Sequence, residues 1–77
     1  MPEENYINIL GRFIADLLKK EKITLKDAVI IMKHFEPVCG SIHSREDLVK
    51  FIDKYVGYYW EIKELRNQLM DKNHKFF

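Results

Sequence analysis

Apolar residues recur along the C-terminal part of the chain at alternating steps of three and four: Leu48, Phe51, Tyr55, Tyr58, Ile62, Leu65 and Leu69. This 4-3 spacing holds all seven side chains on one stripe of an α-helix, the seam along which helices pack. It predicts one long helix over 45–70, with Ser44 as N-cap and Glu46 and Asp47 in the first turn. Gly57 alone interrupts the run, and it lies off the seam.

Two shorter helices precede it. The first, over 3–20, carries Tyr6, Ile7, Leu10, Phe13, Ile14, Leu17 and Leu18 as a wide apolar stripe, with Pro2 and acidic residues at its start. Gly11 and Ala15 stand one turn apart beside that stripe, small enough to admit another backbone. The second, over 25–36, opens on a capping-box pattern, Thr24-Leu25-Lys26-Asp27, with Ile23 placed to staple onto Ala28, and stops before Pro37. Leu25, Ala28, Val29, Ile30, Ile31, Met32 and Phe35 make it apolar around most of its circumference, as expected of the buried centre of the domain. The cap and the absence of alternation argue against a strand through Val29 to Met32. Residues 36–43 read as the one loop, and 71–77, without period, as a frayed tail. The pattern therefore predicts an all-α single domain over 1–77: a three-helix bundle, or a helical hairpin plus a long C-terminal helix.

The long helix has more seam than its own chain covers. At 1.5 Å per residue the three helices run roughly 27, 18 and 39 Å, so the third overshoots the second by about 20 Å. Up to Tyr59 the seam is broadened by Val49, Ile52, Val56 and Tyr59. Beyond Ile62 its flanks turn polar with Lys63, Glu64, Arg66, Asn67 and Gln68, leaving Ile62, Leu65 and Leu69 as a narrow coiled-coil-like stripe. Trp60 falls opposite the seam, and Trp and Tyr are favoured at binding hot spots. The residues expected to meet a partner are therefore Tyr58, Trp60, Ile62, Leu65 and Leu69.

Composition narrows the class. Hydrophobic residues at 47% and charged ones at 32% suit a folded soluble domain. A chain of 77 residues encloses a small core, and Cys39, the only cysteine, cannot form an internal disulfide. Oligomerisation is the supplement that the seam favours. The lone thiol, a polar acidic N-terminus and the lack of any long apolar run point to a cytoplasmic protein away from membranes.

Net charge is +1, from 13 basic and 12 acidic residues with the signs interspersed. A dedicated nucleic-acid binder carries a clear basic excess. The local cluster Lys19, Lys20, Lys22 and Lys26 is the alternative's only foothold, and 36–44 is longer than a helix-turn-helix turn. His34, Cys39 and His43 could be metal ligands by type, but their spacing matches no standard zinc site. Phe35, Pro37 and Cys39 occupy the positions where a calcium loop needs its first oxygen ligands. No phosphate loop, HExxH or GxSxG occurs. The expectation is a non-enzymatic helical protein–protein interaction or oligomerisation module such as an adaptor, subunit or inhibitor. It needs no metal, cofactor or small-molecule substrate, and its partner is another protein or itself, as a homodimer. The alternative is a small helical nucleic-acid-binding protein.

Overall fold

The computed structural model of the chain describes residues 4–76, so the expected roles of Pro2 and Glu3, and Phe77 of the tail, lie outside the described residues. The fold is all-α as expected, with four α-helices and no strand among the described residues. Helix α1, Tyr6–Lys19, is capped by Asn5, whose side chain accepts the Asn8 N–H at 3.0 Å. The helix thus starts later than the acidic N-terminus suggests, because an Asn cap satisfies an otherwise orphaned amide. It ends on Glu21 in the left-handed region (φ 57°), where the Lys22 N–H donates to the Leu17 carbonyl at 2.9 Å and the Glu21 N–H to that of Leu18 at 3.0 Å. This C-terminal motif turns the chain sharply, and α2, Leu25–Phe35, packs beside α1.

Both halves of the expected capping box form. The Asp27 N–H donates to Thr24 Oγ1 at 3.1 Å and the Thr24 N–H donates to the Asp27 carboxylate at 3.2 Å. The second helix is not, however, the buried centre of the domain. Only Ala28, Ile31 and Phe35 are buried, while Leu25 is 70% exposed and Val29 also faces solvent. Its all-round apolarity has a different cause, an open surface. After Phe35 the expected loop is a 3-10 helix, Glu36–Ser41, with Pro37 in its first turn, where a missing N–H is harmless.

The largest departure is in the expected 45–70 helix. Helix α3, Arg45–Phe51, begins at Ser44, whose Oγ accepts the Asp47 N–H at 3.1 Å, and widens into a π-helical turn over Ile52–Val56. The helix then stops. Gly57 is followed by an extended Tyr59 (ψ 109°), a 3-10 turn over Trp60–Ile62, and α4, Lys63–Met70, which folds back onto α3. Gly57 is the poorest helix former in the span, and a Cβ there would sit 3.3 Å from the Ile52 carbonyl oxygen and 3.4 Å from that of Asp53. The gain from folding back is burial: Ile62, Leu65 and Leu69 join Leu48, Phe51, Ile52 and Val56 in one core with Leu10, Ile14, Leu17, Ile31 and Phe35. The seam does zip to another helix, but that helix belongs to its own chain.

Residues beyond α4 are held by Arg45. Its guanidinium donates to both carboxylate oxygens of Glu4 at 2.8 Å and to the carbonyls of Asp71 at 2.8 Å and His74 at 2.6 Å. It also stands 4.9 Å over the Phe76 ring. One partly buried arginine thus ties the N-terminus, the start of α3 and the tail, so described residues 71–76 are docked rather than frayed. No helix of the described residues is long and apolar enough to cross a membrane.

Leu65→Ala should therefore lower stability by about 2–5 kcal/mol, the usual range for emptying a buried leucine site. Leu65→Glu with Leu69→Glu should abolish the fold in urea titrations followed by circular dichroism. Leu25→Lys, on the open face, should change stability by no more than about 0.5 kcal/mol. A folded double-glutamate variant would contradict the fold-back.

Candidate interaction surface

Two of the five residues expected to meet a partner are accessible and three are not. Tyr58 is 70% and Trp60 73% exposed, whereas Ile62, Leu65 and Leu69 are buried against α3 and the rest of the core. Tyr58 and Trp60 sit at the knuckle between α3 and α4. The Tyr58 ring lies 4.5 Å from that of Tyr59, and the Lys63 ammonium lies 4.4 Å over Trp60. The cation over the Trp60 face is a favourable electrostatic contact within the chain.

The knuckle is tied to α2 through Tyr59, whose hydroxyl donates to the Asp27 carboxylate at 3.3 Å. Burial, reinforced by the neighbouring Tyr58 and Asp27, pushes the Tyr59 phenol up to about 12. Asp27 is held below its ordinary range chiefly by the Thr24 backbone N–H. Across the fold-back, Arg66 donates to both carboxylate oxygens of Asp53 at 2.7 and 3.1 Å and keeps that carboxyl low. Glu4 is lowered by its hydrogen bonds from Arg45.

A second open apolar surface lies elsewhere. Between α1 and α2 runs a trough of about 400 Å³ lined by Gly11, Ile14, Ala15 and Leu18 of α1 and by Leu25, Ala28, Val29 and Met32 of α2. Lys33 and Glu36 are its charged lining residues. Nothing stands within 4 Å of where a Gly11 Cβ would be. The small pair Gly11 and Ala15 therefore admits no backbone of this chain; it forms an unfilled floor. These trough residues were not among the sequence-derived candidates. Two sequence features coincide with them: the Gly11–Ala15 spacing, and the apolarity of the second helix around most of its circumference, which reads equally as deep burial.

Lys19, Lys20, Lys22 and Lys26 are all exposed. Lys20 pairs with Asp16 at 3.0 Å, and Lys22 lines a separate depression with Trp60, Glu61, Lys63 and Glu64. His34 stacks on Tyr55 with ring centroids 5.6 Å apart, the Cys39 thiol donates to the Glu36 carbonyl at 3.2 Å, and the His43 N–H donates to Asp47 at 3.0 Å. Among the described residues, no group of three or more His, Cys, Asp or Glu side chains could hold a metal ion.

The Tyr59 tie gives a pH signature. The folded chain holds the phenol proton more tightly than the unfolded chain, so this group's contribution is fully present below pH 10 and is lost as pH rises from about 10 to about 12. Chemical denaturation across that range should show a steeper loss for the wild type than for Tyr59→Phe. Identical pH slopes would remove the Asp27–Tyr59 tie from the account.

Comparison with protein-family models, with curated proteins and with solved structures finds no match for this chain.

Proposed function

We propose that the protein is a non-enzymatic helical interaction module that binds another protein through the α1/α2 trough. The observation that carries this reading is the lining of one open trough by exposed Leu25 and Val29 together with the small residues Gly11 and Ala15. Large apolar side chains grouped on one open surface are what partner-binding faces require and what a small monomer otherwise avoids. The trough's lining offers an acid–base enzyme little to work with, since Lys33 and Glu36 are its only titratable groups. The half-buried single thiol, Cys39, fits a reducing compartment such as the cytoplasm.

A homodimer through the α4 seam would require exchange of α4 between chains, since Ile62, Leu65 and Leu69 are buried in the core. The 4-3 repeat runs in register through Gly57, Tyr58 and Tyr59, and no proline blocks a continuous helix. Straightening of this hinge would let α4 of one chain occupy the place of α4 on a second, the exchange route to a dimer. A short bis-maleimide joining Asp53→Cys and Arg66→Cys, in a Cys39→Ser background, reads it out. Exchange yields linked dimers after incubation at high concentration; links confined to single chains would dismiss the reading.

The interaction reading is tested by a photo-crosslinking residue at Leu25, with one at Lys50 on α3 as the control. In lysate, the Leu25 probe should trap a discrete protein that wild-type chain competes away and an Ala15→Trp chain does not. Equal labelling from both positions, or competition unaffected by Ala15→Trp, would contradict it.

A further inference from the structure

We propose that the α1/α2 trough receives an acidic amphipathic helix of a partner protein, its apolar stripe over Gly11, Ala15, Leu25 and Val29 and its carboxylates against Lys19, Lys26 and Lys33. This rests on the interaction reading above and names the partner's chemistry.

Shape selects a helix. The space left between two packed helices is a groove, and its floor is low at Gly11, where a Cβ would meet nothing within 4 Å, and at exposed Ala15. Small residues at this spacing let another backbone come close. The 11 residues of α2 give a wall of about 16 Å, matching about three turns of a docked helix. A helix satisfies its own backbone groups on arrival. An extended peptide would instead need a sheet edge, and the described residues contain no strand.

Charge selects an acidic one. Lys33 lines the trough, and Lys26 and Lys33 bracket Val29 at three residues before and four after, on the same side of α2. Lys19 follows Ala15 by one turn on α1. All three are exposed, and none takes part in the ion pairs among the described residues, which join Lys20 to Asp16, Arg45 to Glu4, Lys50 to Glu46 and Arg66 to Asp53. Glu36, at the end of the trough, is the one carboxylate in its lining. Carboxylates flanking an apolar stripe would find partners here, while a lysine-flanked helix would meet like charge. The same asymmetry disfavours a second copy on this face, because a two-fold axis would set one lysine rim against the other. The apolar floor offers nothing to a phosphate backbone.

The experiment is selection from a displayed library of helical peptides about four turns long, with leucine or isoleucine fixed at i, i+3, i+4 and i+7 and all flanking positions randomised. The expected winners carry Asp and Glu in the flanks. They should bind Ala15→Trp or Gly11→Leu roughly tenfold more weakly at physiological salt, the scale of blocking a central contact. Both variants keep the fold, since neither side chain enters the core, and an unchanged thermal melt checks this. Lys26→Glu with Lys33→Glu should reverse the preference toward lysine-flanked peptides. Winners with neutral or basic flanks that Ala15→Trp still weakens would overturn the acidic partner and leave the interaction reading standing. Absence of any winner weakened by the two trough variants would overturn both. Displacement of a bound winner by duplex DNA or RNA, abolished by neutralising Lys19 and Lys26, would also overturn the proposal and favour a nucleic-acid ligand.

Discussion

Packing of α4 against α3 is the interaction on which the rest of the structure depends. A chain of 77 residues without a disulfide has little apolar surface to enclose, and it cannot leave Ile62, Leu65 and Leu69 in water without forfeiting a large share of its driving force. Running straight on from Val56 would strand them beyond the reach of α1 and α2. Breaking at Gly57 and returning places all three in the same core as Leu48 and Phe51. The π-helical turn over Ile52–Val56 and the extended Tyr59 are the local price of that return.

Polar contacts refine this arrangement rather than create it. The Arg66–Asp53 pair lies near the surface, where screening leaves such contacts weak, and the part-buried Tyr59–Asp27 bond is long at 3.3 Å. Arg45 is better placed: partly buried, it grips Glu4 through both carboxylate oxygens and two tail carbonyls at once. A lysine could not reproduce that forked geometry. The clasp explains why residues with no apolar period are nevertheless docked.

Much of the fold was legible where a local rule decides. Thr24 with Asp27, and Ser44 with Asp47, are short-range caps whose geometry the sequence specifies almost completely. Asn5 obeys the same rule and was obscured by the acidic residues before it. The 4-3 repeat identified the right seam but could not say which helix would meet it, because a stripe carries no information about chain reversal. Gly57 was visible as a weak point; that the chain turns there depends on a global balance of burial. The second helix misled for a related reason. Apolarity on every face reads equally as deep burial or as one buried face plus one kept open, and Leu25 and Val29 belong to the open face. The candidate surface therefore moved from the C-terminal seam to the N-terminal hairpin, with only Tyr58 and Trp60 remaining accessible.

The chain thus divides its apolar residues between two places: α4 completes the core, and the α1/α2 trough leaves Leu25 and Val29 open to solvent. Methyl NMR with a soluble paramagnetic relaxation agent tests both halves in one measurement, at a concentration where sedimentation reports a monomer. Strong relaxation of the Leu25 and Val29 methyls, with those of Leu65 and Leu69 protected as fully as Leu48, is the result this account predicts. Exposed Leu65 and Leu69 methyls, or protected ones at Leu25 and Val29, would contradict it.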